Sequence, residues 1–178
     1  MASELRVDKI IPTTGIPTGG GGGIIQIQQD TLITQTESTA ATDVRVDVGL
    51  EVSITPKFST SKIYVTLNSF SLRTRNQDTH ATMILQRKIG NGSFADVVSF
   101  AEYAGAISGG TSGSTSEVYP TLGYLDSPAT TSAVTYKIQG LRHSGSSNVA
   151  FHHNASGGHS GGSGVRNTAT LTVMEVSA

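Results

Sequence analysis

The sequence contains no cysteine and no tryptophan. Without cysteine, the chain can form no disulfide, no thiolate metal site and no thiolate nucleophile. Charged residues make up only 14% of the chain, compared with about 25% in a typical domain. The formal net charge is −1 and the basic residues are dispersed, so the basic patch that nucleic acids bind is missing. We therefore expect no nucleic-acid partner.

Long apolar runs are missing as well. No segment approaches the roughly 20 consecutive apolar residues of a membrane-spanning helix. The opening residues, Met-Ala-Ser-Glu-Leu-Arg-Val-Asp-Lys, mix charges of both signs and lack the apolar core of a secretory signal. We therefore expect synthesis in the cytoplasm without a signal peptide, and no insertion into a membrane.

The hydrophobic fraction is low, at 36%, and serine, threonine and glycine rather than charged residues fill the deficit, which is typical of short strands joined by many turns. Apolar and polar residues alternate with a period of two at 44–48 and from Lys62 to Leu72, the longest strand candidate. Gly90-Asn91-Gly92 indicates a hairpin, and Gly105 to Glu117 indicates a long loop. With about nine or ten strand candidates and no helical period, we predict an all-β fold: an antiparallel, jelly-roll-like β-sandwich with an extended N-terminal arm.

A run of five glycines separates a short leading segment from the strand-like remainder. Because glycine has no Cβ, this run leaves the angle between its two flanks unrestrained. We predict an N-terminal anchoring arm (1–18), a glycine hinge (19–23) and a β-sandwich head domain (24–178). The arm alternates apolar and charged residues, so it could fill a groove or extend a sheet of a partner. The predicted anchoring residues are Leu5, Val7, Ile10, Ile11 and Pro12, and the hinge residues are Gly19, Gly20, Gly21, Gly22 and Gly23.

Four histidines in the last third of the chain are candidate metal ligands: His143, His152, His153 and His159. Their spacing matches no zinc pattern, and no cysteine is present to complete a site. We interpret them as exposed histidines of a glycine-rich segment and expect neither a metal nor a cofactor.

Catalytic and phosphate-binding motifs are also weak. Gly109-Gly110 and Gly157 to Gly164 lack the Gly-Lys-Ser/Thr ending of a phosphate loop. Asp126 precedes Ser127-Pro128 and is interpreted as a turn residue, since no spacing supports a catalytic pair with Glu117. We predict that the protein is not an enzyme.

The densest polar stretch follows the longest strand candidate. Arginine, asparagine, glutamine and aspartate offer directional donors and acceptors to sugar hydroxyls or to a neighbouring protein. The alternative is a solvated hairpin tip, which is the commoner occurrence. Four tyrosines offer either stacking surfaces for a glycan or filling for the rim of the sandwich. The candidate contact residues are Arg73, Arg75, Asn76, Gln77 and Asp78, and the tyrosines are Tyr103, Tyr119, Tyr124 and Tyr136.

Several stretches together resemble virion proteins of tailed bacteriophages, especially marine ones. They are Leu5-Arg-Val-Asp-Lys-Ile-Ile-Pro-Thr-Thr-Gly-Ile-Pro17, the glycine run into Ile24-Ile-Gln-Ile, Val52-Ser-Ile-Thr-Pro56 with Ser59-Thr-Ser-Lys-Ile63, Tyr124 to Tyr136, and Ala169-Thr-Leu-Thr-Val-Met-Glu-Val176. The resemblance implies a tail-fibre or other surface-appendage protein whose terminal β domain is usually trimeric, with no catalytic residues. The chain departs from fibres in having no long shaft between arm and head.

The sequence thus favours a non-enzymatic structural component of a tailed-phage virion, made in the host cytoplasm and located on the virion surface. In this interpretation a short fibre-like appendage is anchored by its arm and presents a trimeric β-sandwich for host attachment. Its expected partners are itself as a homotrimer, tail or capsid proteins through the arm, and a host surface glycan. One alternative is a capsid decoration protein, a cement or knob on the head lattice. Another is a free carbohydrate-binding module.

Overall fold

The computed structural model describes residues 23–38, 41–75, 79–105, 115–145, 147–152 and 168–177. Within these ranges the chain forms twelve β-strands. They are β1 (Ile24–Leu32), β2 (Thr36–Glu37), β3 (Arg45–Ile54), β4 (Lys62–Asn68), β5 (Leu72–Arg75), β6 (His80–Ile89), β7 (Ala95–Ala104), β8 (Thr115–Val118), β9 (Leu122–Asp126), β10 (Val134–Ser144), β11 (Ala150–Phe151) and β12 (Ala169–Val176). The described ranges contain no helix with the length and hydropathy of a membrane span.

Eight of the strands form two four-stranded sheets. The first sheet has the order β1-β12-β4-β9 and the second the order β3-β10-β6-β7. All neighbouring pairs are antiparallel. When these eight strands are numbered in chain order, the sheets read 1-8-3-6 and 2-7-4-5, the double Greek key of a jelly roll. The predicted all-β, jelly-roll-like antiparallel sandwich is confirmed.

The core lies between the two sheets because every second residue of the long strands points inwards. In β4, Ile63, Val65 and Leu67 are fully buried, whereas the residues between them point outwards. Strands β3 and β12 alternate in the same way. Burial of each such side chain contributes about 1.5–3 kcal/mol. The period of two therefore decides which face of each strand joins the core.

The other four strands form a small third sheet in the order β2-β11-β5-β8, which we call the end sheet. Each lies in a connection between two long strands, and the registers place all four connections at one end of the sandwich, the loop end. The amide of Ser38 donates to the Val149 carbonyl at 2.8 Å, and the Val149 amide donates to Ser38 Oγ at 2.8 Å. The Phe151 ring packs on Gly140 of β10, which fastens the end sheet to the second sheet.

The prediction of one strand from Lys62 to Leu72 is wrong. The chain leaves the first sheet after Asn68, and β5 begins at Leu72 in the end sheet. Ser69 adopts a left-handed φ of 55° at the break, and the next residue, Phe70, is fully buried. The alternation changes phase at this break: the buried apolar residues lie at odd positions up to Leu67 and at even positions from Phe70 to Leu72. The prediction of one strand overlooked this shift.

The end sheet also accounts for the extra strands. The predicted loop from Gly105 to Glu117 contains part of β8, whose backbone pairs with β5 from Leu72 to Arg75. Serine and threonine at this position read as loop residues because they carry little apolar signal. The neighbouring strand β5 satisfies the backbone hydrogen bonds of β8, and this pairing cannot be predicted from composition.

Candidate functional site

A pocket with charged and polar side chains in its lining lies on the end sheet. Its volume is about 190 Å³, and it is lined by Glu37, Arg73, Ser147, Asn148 and Ala150. The register places Ala150 of β11 between Glu37 of β2 and Arg73 of β5, so the two charged residues flank it on neighbouring strands. A guanidinium, a carboxylate, a hydroxyl and an amide around one pocket offer both donors and acceptors to a polyol or a peptide.

The predicted contact residues map to this end of the molecule only in part. Arg73 lies in the middle of β5, is half-buried and lines the pocket. Arg75 is the last residue of β5 and pairs with Thr115 of β8. Residues Asn76, Gln77 and Asp78 lie outside the described residues. A contact role for this stretch therefore stays a prediction.

Sequence reasoning missed the other residues of the pocket. Glu37 lies in the connection after β1, and Ser147 and Asn148 lie in the connection after β10. The pairing of β2 with β11 brings the two connections together. Each is a short polar segment with no motif, so only the tertiary pairing identifies them.

A second cluster at the loop end is a hydrogen-bonded chain of three side chains. His143 Nδ1 lies 3.0 Å from Asp43 Oδ1, and His143 Nε2 lies 2.9 Å from the Tyr103 hydroxyl. The rings of Tyr103 and His143 meet edge to face at 4.7 Å, and His80 contacts Tyr103 in the same way at 5.6 Å. A carboxylate on one ring nitrogen fixes the orientation of the imidazole. The exposed Tyr103 ring thus lies beside the polar side chains of His143 and Asp43 at the surface.

The histidines that were candidate metal ligands do not come together in the described part of the chain. His143 is held by Asp43 and Tyr103, whereas His152 is fully buried and its ring packs against Phe70 at 5.7 Å. His153 and His159 lie outside the described residues. The interpretation of His152 as an exposed loop residue is therefore wrong. Among the described residues, no three His, Cys, Asp or Glu side chains are placed to hold a metal.

The interpretation of Asp126 as a turn residue is wrong. Asp126 ends β9 and is buried, and both its carboxylate oxygens lie 2.7 Å from Arg87 Nη1. The buried hydroxyl of Tyr136 donates to Asp126 Oδ2 at 2.7 Å. These residues belong to β9, β6 and β10, so the carboxylate joins the first sheet to the second. Glu117 lies on β8, where it accepts a hydrogen bond from Tyr119 at 3.2 Å.

The four tyrosines divide into two groups. Tyr136 is fully buried, and Tyr124 is partly buried against the core, as expected of residues that fill the sandwich. Tyr103 and Tyr119 are 55% and 63% exposed, and both lie at the loop end. The negative charge of Glu117 raises the pKa of the Tyr119 phenol. These two exposed rings are the ones that could stack on a ligand.

The predicted arm and most of the hinge lie outside the described residues, together with the glycine-rich stretches at 109–110 and 157–164. Gly23 is described, and its carbonyl accepts a hydrogen bond from the Ser177 amide at 3.0 Å. The anchoring and hinge assignments stay predictions, as do the domain boundaries.

No family model matches the sequence, and no curated protein matches it. Among solved structures, the chain is similar to the VP2 subviral particle of infectious bursal disease virus, at 14% identity and a TM-score of 0.49, over 94% of this chain and 45% of that one. It is also similar to the structure of the Gt strain of that virus, at 15% identity and a TM-score of 0.47, over 94% and 43% of the two chains. The Gx strain matches at 13% identity and a TM-score of 0.35, over 93% and 44%. The chain thus spans less than half the length of these chains, and at such scores the matches carry no argument about its function.

Proposed function

We propose that the chain is a non-enzymatic structural protein of a tailed-phage virion, a short homotrimeric appendage on the particle surface. Its arm binds other virion proteins, and its loop end faces outwards to meet the host. The proposal is supported by the resemblance of the sequence to tailed-phage virion proteins. It is also supported by the jelly roll, an architecture that viral and lectin domains use repeatedly.

One geometric observation carries the proposal: the start of β1, which the arm precedes in sequence, and the end-sheet pocket lie at opposite ends of the sandwich. Strand β1 begins beside the end of β12, where Ile24 pairs with Val176, and it finishes at the loop end, where Leu32 pairs with Ala169. A strand of nine residues spans about 30 Å. An anchor that enters at one end therefore leaves the end-sheet pocket and the exposed tyrosines pointing away from whatever the arm binds.

Incorporation into particles tests the anchoring role. The gene is replaced by a version lacking residues 2–18, and purified particles are probed for the protein. We expect the truncated chain to be absent from particles while its circular dichroism shows that the head is folded. Particles that carry the truncated chain at the normal level would contradict the anchoring assignment.

A pair of matched variants sharpens this test. Val7→Asp with Ile10→Asp places charge on the apolar positions of the arm, whereas Thr13→Asp with Thr14→Asp adds the same charge at polar positions. If the arm binds through its apolar side chains, only the first pair should reduce incorporation, because burying a carboxylate without a partner is costly. Equal incorporation of both pairs would show that these side chains do not anchor the protein.

The capsid decoration alternative shares the arm and differs in location, so antibody labelling of intact particles separates the two. Label over the tail supports the appendage, and label distributed over the head supports decoration. The free carbohydrate-binding alternative is favoured by the exposed Tyr103 and Tyr119 at the loop end. It predicts binding of the full chain to a glycan array, with the signal lost in Tyr119→Ala. An array without signal would count against host glycan recognition.

A further inference from the structure

The outer faces of the two main sheets differ in chemistry. On the second sheet, the outward residues of β3 include Arg45, Asp47 and Glu51, all exposed. Arg45 bridges to Asp96 of β7 at 2.7 Å, and Lys137 of β10 bridges to Asp47 at 3.3 Å. A charged, ion-paired outer face is the usual surface of an antiparallel sheet that faces water. The outer face of the second sheet is therefore suited to contact with water.

The first sheet lacks this polar cover. Ile27 of β1 pairs with Met174 of β12, Met174 pairs with Tyr64 of β4, and Tyr64 pairs with Leu125 of β9. All four side chains point outwards, and we call them the apolar row. Ile27 is 54% exposed, Tyr64 38% and Leu125 49%, while Met174 is half-buried. The row crosses all four strands, a width of about 14 Å.

The surroundings of the apolar row carry almost no charge. The neighbouring outward positions are mostly threonine and other neutral residues, among them Gln29, Thr66, Thr170 and Thr172. Lys62, at the start of β4, is the one charged residue at the outward positions of these four described strands. Apart from Lys62, the outer face of the first sheet is uncharged along its four strands, and we call it the neutral face.

One member of the apolar row, Tyr64, packs against the sheet itself. A Cβ added at Gly123 of β9 would lie 2.9 Å from the Tyr64 hydroxyl, so the Tyr64 side chain lies across this glycine, which shares the outer face of β9 with Leu125. A tyrosine laid flat on the sheet loses little further side-chain freedom on binding. Preorganised aromatic and aliphatic groups in the middle of a neutral patch are typical of a protein contact surface.

We propose that this neutral face is where a second copy of the chain binds, with the apolar row at the centre of the interface. A charged partner would find only Lys62 to pair with, whereas a copy of the same neutral face brings no like charges together across the row. In an assembly with rotational symmetry, two-fold or three-fold, the side chains that line the axis meet the same side chains of the other copies, so a face on the axis must tolerate its own image. The opposite sheet, with its rows of paired charges, does not meet this condition.

This inference deepens the proposed function, on which it rests for the expectation of three copies. It assigns the contact to a named surface. Self-association is measured on the isolated chain, and incorporation is measured on particles. A monomeric chain would overturn the interface and the homotrimer without deciding whether the chain is a virion component. Absence of the native chain from particles would overturn the virion role without deciding the interface.

Sedimentation velocity of the full chain, from about 1 to 100 µM, covers the affinities expected of an interface of ordinary size. We expect the native chain to sediment as an oligomer. Leu125→Lys and Ile27→Lys each place one charge in the apolar row at an exposed position, so circular dichroism should be unchanged. We expect each to weaken self-association at least about a hundredfold, because a buried charge without a partner is among the costliest changes at an interface.

Val44→Lys is the matched control. Val44 is 42% exposed and directly precedes β3 of the second sheet, so Val44→Lys adds the same charge at similar exposure away from the apolar row. The proposal is overturned if the native chain is a monomer throughout, or if Val44→Lys dissociates the oligomer as strongly as Leu125→Lys. If the native chain is a monomer, an apolar dye that binds only after deletion of residues 2–18 would identify the arm, and not a second copy, as the occupant of the face.

Discussion

Replacing Asp126 by alanine should destabilise the fold more than any exposed aspartate would. The Asp126 side chain is 7% exposed and receives hydrogen bonds of 2.7 Å from Arg87 and from Tyr136. Without the carboxylate, the buried Tyr136 hydroxyl has no acceptor, which costs about 1–3 kcal/mol. Breaking a buried ion pair costs about 3–5 kcal/mol. The Arg87 side chain is 29% exposed and regains some hydration, so we expect a loss of about 2–4 kcal/mol.

Urea unfolding followed by circular dichroism measures this loss, since the chain has no tryptophan for fluorescence. Asp47→Ala is the matched control, because Asp47 pairs with Lys137 at 3.3 Å but is 50% exposed. An exposed pair of this kind contributes less than about 1 kcal/mol. Equal losses for Asp126→Ala and Asp47→Ala would refute the idea that the buried carboxylate joins the two sheets.

Three further outcomes follow from single contacts. Gly140→Ala should lower the free energy of unfolding in urea by about 1–3 kcal/mol, since the new methyl would lie 2.5 and 2.7 Å from carbons of the buried Phe151 ring. Unchanged stability would show that the ring can move aside. Burial raises the pKa of Tyr136 above its ordinary value of 10, so its contribution to stability is complete below pH 10 and is lost as the pH rises further. Thermal unfolding of Tyr136→Phe should therefore fall less steeply above pH 10 than that of the native chain, and parallel curves would contradict this. Hydrogen bonding from Arg45 lowers the pKa of Asp96 below its ordinary value of 3.8. The exposed Arg45–Asp96 pair therefore stabilises the fold above pH 3.8 and stops doing so as the pH falls through the lowered pKa. Asp96→Asn should reduce the free energy of unfolding slightly at neutral pH in low salt and not at all in high salt.

The alternation of apolar and polar residues was enough to predict most of the sandwich. Ile63, Val65 and Leu67 of β4 point inwards as their period requires, and the same holds for most of β3 and β12. This works because a strand has only two faces, so a local pattern decides which one is buried. The reasoning failed where the chain changes sheet at Ser69, since it overlooked the shift of the apolar positions from odd numbers before Ser69 to even numbers after it.

Polar residues were harder to place than apolar ones. Asp126 has the local sequence of a turn residue, yet its partners Arg87 and Tyr136 come from other strands. Asp43 and Tyr103 lie 100 and 40 residues from His143 in sequence, and the three meet only because the start of β3 and the ends of β10 and β7 lie together at the loop end. A hydrogen bond between residues far apart in the chain leaves no periodic signal.

By itself, the sequence determined that this is an all-β chain without thiol chemistry, with a glycine run ahead of a sandwich, because strand alternation and glycine runs are local properties. Only the tertiary structure decided that four connections form a sheet at one end, and that Ile27, Met174, Tyr64 and Leu125 line up across four strands. The physical reason is strand register. Alternation fixes the side to which a residue points, whereas the hydrogen-bonded pairing of distant strands decides which residues stand next to it.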